Sequence, residues 1–286
     1  MKAGLFVESC FFCYNNIINM DYMFLVFYVF VFIFGLCVGS FLNCAIYRQE
    51  QEKSLKGRSF CPKCKHTLFW YDLFPVFSFA FLGGKCRYCK TKISWQYPAV
   101  ELATGVIFVM ISKLLIAGYP VLVTDILNLA FLFYVASALI FIFVYDLKHY
   151  LIPDKVLFPA IVITFIFRLF VNFNLITNFL FAVVIASGFF LSIFLISRGK
   201  AMGFGDVKLA ILMGLLLGLP NILVALFIAF FFGAIIGLLL MLFGRKSAGW
   251  RMKSEIPFGP FLILGTFIAL LWGSQIIQWY INFFQI

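Results

Sequence analysis

Charge is scarce in this sequence, and long polar stretches are absent. Asp, Glu, Lys and Arg make up 12% of the 286 residues, 64% are hydrophobic, 41 are Phe, and the mean hydropathy is +1.08. Soluble domains average about 25% charged and about 45–50% apolar residues, so a soluble globular protein is excluded and most of the chain is expected in lipid. The longest segment without an apolar span is Arg48–Gln96, 49 residues. That is too short for a doubly wound nucleotide-binding domain or another large soluble enzyme module, so any chemistry must use the membrane part or this one insert. A Gly-rich strand-to-helix turn of the nucleotide-binding type is also missing. No small-x-small site follows the first apolar run of about 26 residues, which is therefore expected to stay as an anchor and not to be removed as a signal peptide. No internal repeat or low-complexity linker stands out among the Phe-rich runs.

What is present is a series of apolar runs, each read as a membrane helix. They lie near Tyr22–Tyr47, Tyr97–Ala117, Asp125–Asp146, Val156–Val171, Leu175–Ser197, Val207–Leu219, Asn221–Phe243 and Pro257–Phe283. The expected fold class is an all-α polytopic membrane protein of about eight transmembrane helices with a small insert between the first two. Leu219-Pro220-Asn221 is either a tight hairpin or a kink within one helix, and a kink would reduce the count to seven. With eight spans, 19 of the 22 Lys and Arg fall in alternate loops, namely 48–96, 147–155, 198–208 and 244–253, leaving only Lys2, Lys113 and Arg168. The positive-inside rule makes these loops cytoplasmic and places both termini outside. The net charge of +11 thus reads as an orientation device, and no nucleic-acid partner is expected. The partner implied is the lipid bilayer.

The insert holds Cys61-Pro-Lys-Cys64 and Cys86-Arg-Tyr-Cys89, two C-x2-C pairs 21 residues apart. Each pair can sit on a tight turn and offer two thiolates to one tetrahedral ion. Four sulfurs close the shell, which suits a structural zinc ribbon or knuckle with no position left for a catalytic water. Disulfides or free thiols are the alternative, disfavoured in a reducing cytoplasmic loop. A metal would also supply folding energy that so short a segment lacks. His66 reads as a surface residue, Cys37 and Cys44 as packing residues within the first span. Residues 1–21, with Cys10-Phe-Phe-Cys13, receive no function, and Met20 or Met23 is an alternative start.

Ionisable groups in or beside spans are functional candidates by default. Asp21 and Asp125 read as solvated flanks at outer ends. Asp146 ends the third span and Asp206 begins the sixth, both at cytoplasmic ends, so their carboxylates are expected at one depth. Close carboxylates cannot both ionise and share a proton. One can then take a proton from water while the other gives one to a scissile carbonyl. Two independent interfacial charges are the bland alternative.

Local sequence favours the pair. Gly203-Phe-Gly-Asp206-Val-Lys-Leu209 and Asp146-Leu-Lys-His-Tyr-Leu-Ile152-Pro153-Asp154 resemble the active-site motifs of the GxGD aspartyl proteases, in particular the type IV prepilin leader peptidases of bacteria. Further segments in the family's order are Gly39-Ser-Phe-Leu-Asn43 with Tyr47-Arg48, both C-x2-C pairs, Trp70-Tyr-Asp72, Gly84-Lys-Cys-Arg87, Tyr97-Pro-Ala-Val-Glu101 and Pro257-Phe-Gly-Pro-Phe261. Gln49-Glu50 departs from the Leu-Pro that the family commonly has there.

The resemblance implies a bifunctional enzyme of the bacterial inner membrane, with its sites facing the cytoplasm. It would cut the short basic leader from type IV prepilins or pseudopilins after a glycine, and then N-methylate the new terminus from S-adenosylmethionine. Asp146 and Asp206 would be catalytic, and Cys61, Cys64, Cys86 and Cys89 would hold Zn2+ in a loop linked to methyl transfer. Glu101 and Asp72 are candidates for cofactor binding, against plainer readings as a buried polar contact and a loop charge. The chain would divide into segment 1–21, a first helix over 22–47, a zinc module over 48–96 and a protease domain over 97–286.

Helix dipoles suggest roles within the pair. Asp206 precedes a helix, whose positive end favours a carboxylate, and Asp146 follows one, whose negative end favours the acid. Asp206 would be the base and Asp146 the acid, unless Lys208 or Lys148 intervenes. Asp154 is a candidate support for the pair, although Ile152-Pro153-Asp154-Lys155 also reads as an ordinary helix start. Two other functional classes remain open here: a transporter whose acids carry protons, and an assembly factor whose zinc loop docks a partner. A transporter would be expected to show broken helices in matching halves, and only the region near Pro220 offers one.

Overall fold

A computed structural model describes residues 2–116, 122–171, 173–200, 202–243 and 257–284, with 2–21, 240, 241 and 243 described by backbone alone. Cys10, Cys13, the side chain of Asp21, Glu255 and the basic loop 244–253 lie outside the described side chains. Among the described residues there is no strand, only two isolated bridges. The chain forms two compact units, Met1–Asp125 and Ile126–Ile286.

The first unit is built on α1 (Lys2–Glu50) and α3 (Gln96–Leu115). Two glycines one turn apart on α1 set their approach. A Cβ on Gly35 would lie 2.7 Å from the Gly105 Cα, and one on Gly39 would lie 2.7 Å from the Glu101 Cα. Small residues at four-residue spacing let helix backbones touch in lipid, where no hydrophobic force drives association. Asn43 Nδ2 donates to the Tyr97 carbonyl at 3.0 Å where α3 begins. Arg48 is buried and donates to the carbonyls of Ser54, Leu55, Gly57 and Arg58, folding the chain back as it leaves α1.

The insert contains a 3-10 turn at Trp70–Asp72, the short helix α2 (Phe77–Phe81) and two turns of equivalent construction. In the first, Cys61 N–H bonds to the His66 carbonyl and Lys65 N–H to the Cys61 carbonyl, both at 2.9 Å; in the second, Cys86 N–H bonds to Thr91 and Lys90 N–H to Cys86, at 2.9 and 3.0 Å. Antiparallel bridges Phe60–Thr67 and Lys85–Lys92 close them. Lys65 and Lys90 both have positive φ, 60° and 57°. The eight-residue unit 60–67 therefore recurs at 85–92, a short repeat that the sequence hides because only Cys, Cys and Lys coincide.

The second unit comprises α4 (Val123–His149, from Ile126 on), α5 (Asp154–Val171), α6 (Ile176–Ser197), α7 (Phe204–Leu217), α8 (Asn221–Phe243) and α9 (Gly259–Phe284). Helix α7 is its centre. Beyond Lys208 α7 is apolar on all sides, which buries a helix completely, and Leu209, Ala210, Leu212 and Met213 are inaccessible. A Cβ on Gly214 would stand 2.7 Å from the Val183 Cα, so α6 and α7 are in backbone contact. Arg168 at the end of α5 explains one of the stray cations. It donates to the Leu215 and Leu216 carbonyls, at 3.2 and 2.6 Å, and lies 4.4 Å from the Phe179 ring centre. It thereby satisfies carbonyls that end a helix without partners. Asn178 clips the next turn, donating to the Leu219 carbonyl and accepting its N–H.

Residues 218–220 separate α7 from α8, so the two are distinct helices, and each of the eight apolar runs corresponds to a helix among the described residues. Among the described residues six of these helices, against the eight spans expected, are long and apolar enough to cross a membrane. The other two are α5, which carries Asp154, Lys155 and Arg168, and α7, which has only 14 residues.

Candidate active site

Asp146 lies in the last turn of α4 and Asp206 is the third residue of α7. Both are buried, with 4% and 8% of their surface exposed. Each carboxylate accepts a backbone N–H from a glycine that precedes or opens a helix. For Asp206 the donor is Gly203, the N-cap of α7, whose extended backbone (φ −76°, ψ 151°) turns its N–H back onto the side chain three residues ahead. For Asp146 the donor is Gly259, the first residue of α9.

Glycine is required at these approaches. A Cβ on Gly259 would lie 3.2 Å from Asp146 Cγ and closer still to Oδ2. A Cβ on Gly205 would lie 3.1 Å from the Ile152 Cβ, so the second glycine of the G-x-G-D run makes room for the turn between α4 and α5. The Ile152 Cδ1 also stands 3.6 Å from where a Gly259 Cβ would be. Ile152 is thus wedged between the glycines beside the two aspartates. The ends of α4, α7 and α9 that carry or face the two aspartates thus meet around one side chain. Lys208 is held elsewhere: its ammonium lies 2.8 Å from each carboxylate oxygen of Asp154.

The sequence shows Gly259 and Ile152 inside the segments Pro257-Phe-Gly-Pro-Phe261 and Asp146-Leu-Lys-His-Tyr-Leu-Ile152-Pro153-Asp154 but gives neither a role, because it does not show what either residue faces.

In the first unit, the sulfurs of Cys61, Cys64, Cys86 and Cys89 all lie within 4.8 Å of one another, and Cys61 and Cys89 are 3.8 Å apart. Zn–S bonds of about 2.3 Å in a tetrahedron place sulfurs about 3.8 Å apart, whereas a disulfide needs about 2.05 Å. None of the described cysteines is in a disulfide. The donor set therefore fits a four-thiolate metal site. Hydrogen bonding to Thr91, whose hydroxyl is 2.9 Å away, pulls the Cys89 thiol down to about 6, whereas at Cys64 the His66 backbone hydrogen bond is outweighed by burial and the neighbouring sulfurs, which push that thiol up to about 11, so the cluster without a metal favours one thiolate and not four. His66 lies against Tyr88, ring centres 3.7 Å apart and planes tilted by 37°, and is not in the cluster.

Asp72 and Glu101 are each engaged in holding the insert. Asp72 accepts from Arg87 Nε at 2.7 Å, the Tyr88 hydroxyl at 3.0 Å and the Phe69 N–H at 3.3 Å. Burial opposes its ionisation, but these donors outweigh it and keep the carboxyl below its ordinary value. Glu101 accepts the Val76 N–H at 2.7 Å and the Ser40 hydroxyl.

Comparison with known proteins gives two adjoining family matches: the Bacterial Peptidase A24 N-terminal domain over residues 33–114 and the type IV leader peptidase family over residues 133–238. The chain is similar to the prepilin leader peptidase/N-methyltransferase of Bacillus subtilis (strain 168), 33% identical over 261 residues, covering 88% of this chain and 97% of that protein. It is similar to the protein of the same name from Vibrio cholerae, 32% identical, covering 87% and 97%, and from Aeromonas hydrophila, 30% identical, covering 89% and 93%. No solved structure matches the chain.

Proposed function

The chain belongs to the type IV leader peptidase family, and from that premise we propose that it is a membrane aspartyl endopeptidase that removes the basic leader of type IV prepilins or pseudopilins. Cleavage falls after a glycine at the cytoplasmic face of the inner membrane, and the exposed terminus is then N-methylated. The observation that carries the reading is the pair of buried carboxylates, Asp146 and Asp206, at helix ends that meet around Ile152, which packs against Gly205 beside one and Gly259 beside the other.

In the hydrolytic step one carboxylate takes a proton from water as its oxygen attacks the scissile carbonyl carbon, and the other gives its proton to the carbonyl oxygen. Collapse of the resulting diol breaks the C–N bond, and the proton first taken from water goes to the leaving amine. Asp206 is the stronger candidate for the base, because it stands in the first turn of α7. Asp146 stands where the carboxyl end of α4 meets the amino end of α9, so two opposed dipole ends act on it. The expected preference of Asp146 for the acid form is offset there by Gly259, and the difference between the two rests on the Asp206 side, worth about 2 kcal/mol at most. The Lys208 charge, which would confuse this assignment, is neutralised by Asp154.

The methyl-transfer half follows from the family. S-adenosylmethionine supplies the methyl group when bound, and Asp72 and Glu101 are the candidate polar groups in the unit that holds the cysteines. Cys61, Cys64, Cys86 and Cys89 would hold zinc, which would tie the two insert turns together.

The test is a prepilin-type peptide incubated with the purified full chain in proteoliposomes. Asp146→Asn and Asp206→Asn should each lower cleavage by about 10²-fold or more, and undiminished cleavage in either overturns the assignment. Radiolabelled S-adenosylmethionine in the same assay tests methylation of the new terminus.

A further inference from the structure

Glu101 lies inside a membrane-spanning helix, yet the backbone N–H it accepts belongs to the insert. Ser40, which also bonds to this carboxylate, lies within α1. It is ten residues before the end of α1, about 15 Å of helix, and Glu101 is five residues into α3, about 7.5 Å. The chain between the two cysteine turns therefore runs back alongside both spans until it meets the Glu101 side chain, about one to two turns past the start of α3, before returning.

The turn at its lowest point is unusual. Val76 has φ 62° and ψ −48°, and the Phe77 N–H reaches the Pro75 carbonyl at 2.6 Å. A β-branched residue at positive φ is strained, and an N–H at membrane depth needs an acceptor within the protein. Glu101 is that acceptor. Around the turn, apolar side chains point outward: Trp70 is 72% exposed, Phe74 51%, Phe77 59% and Phe81 88%. Phe77 and Phe81 share one face of α2. Phe79 turns away from them, 4.9 Å from the Trp95 ring and against Gly84. The cysteine turns on either side in sequence expose Lys63, Lys65, Lys85, Lys90 and Lys92, and segment 48–96 has ten Lys and Arg against three acidic residues.

We propose that residues 70–81 form a re-entrant segment that seats its Trp and Phe side chains in the bilayer interface, with Glu101 holding its turn at that depth. The occupant of the exposed aromatic face is lipid. Depth alongside two spans places it there, and the excess of basic charge complements anionic headgroups. A Trp with deeper Phe residues beside Lys-rich turns is the side-chain set of interfacial anchors.

The test uses the full chain, one copy per nanodisc, in phosphatidylglycerol and phosphatidylethanolamine. A diazirine probe that partitions into the acyl phase is photoactivated, and adducts are mapped by mass spectrometry. Residues 70–81 should label more than threefold above residues 61–67 and comparably to α9. Labelling of 70–81 within threefold of 61–67 overturns the proposal. Glu101→Gln, which keeps an acceptor, should preserve the labelling. Glu101→Leu should reduce it to the level of 61–67 while α9 labelling and zinc content persist. Unchanged labelling in Glu101→Leu overturns the holding role, and unchanged labelling after phosphatidylcholine replaces phosphatidylglycerol overturns the part played by charge.

Discussion

The Gly259 backbone N–H donates to the Asp146 carboxylate, and no atom larger than hydrogen fits on the Gly259 Cα without displacing that carboxylate. Gly259→Ala should therefore move Asp146 while removing no functional group. A displacement of about 1 Å can cost about 10²-fold in rate, and a loss of that order is expected in the peptide cleavage assay. Circular dichroism and elution volume should stay at wild-type values. Full activity in this variant would contradict the contact.

Arg168 seals the far end of α7 through two carbonyls. Arg168→Met keeps most of the side-chain length and removes both hydrogen bonds. Hydrogen bonds to charged groups contribute about 1.5–3 kcal/mol, so equilibrium unfolding in mild detergent should show a loss in that range. A change below about 0.5 kcal/mol would show that the carbonyls are otherwise satisfied.

Asp154 and Lys208 pair across α5 and α7. With the Asp154 side chain about half exposed, the pair should contribute little to stability, about 0.2–1 kcal/mol. Its larger effect should be electrostatic: Asp154→Asn leaves Lys208 uncompensated two residues from Asp206 and should shift the pH profile of cleavage, whereas the double variant Asp154→Asn/Lys208→Met should restore it. A profile that the double variant fails to restore would rule out charge as the cause.

Asp72 ties Arg87 and Tyr88, which lie between Cys86 and Cys89, to the 3-10 turn. Groups that orient a ligand turn typically change metal affinity by about 10–100-fold. Asp72→Ala should shift a competition titration against a zinc chelator by at least about tenfold, and an identical titration curve would limit Asp72 to a surface role. Chelation of the wild-type chain should also open 48–96 to protease.

Much of this arrangement was legible in the sequence, because it rests on local pattern. The apolar runs give the eight helices, the doubled C-x2-C gives the sulfur cluster, and the position of Asp146 and Asp206 at helix ends follows from where each run stops and starts. What was hidden depends on a partner far along the chain. Gly35 and Gly39 declare themselves only against Gly105 and Glu101, and Gly259 only against Asp146. The dipole argument for Asp146 was incomplete for the same reason. The carboxyl end of α4 was visible in its own sequence, but the amino end of α9, more than a hundred residues later, acts on the same carboxylate. The equivalence of 60–67 and 85–92 lay in backbone dihedrals, which unlike residues can share.

A 14-residue helix is about 21 Å long against a hydrocarbon thickness of about 30 Å. Helix α7 is anchored at one end by Arg168 and Asn178 and carries Asp206 at the other. The remaining 9 Å or so must be spanned by neighbouring protein or closed by a thinner bilayer. Helix α7 by itself therefore spans about two-thirds of that thickness, and Asp206 stands at one of its two ends.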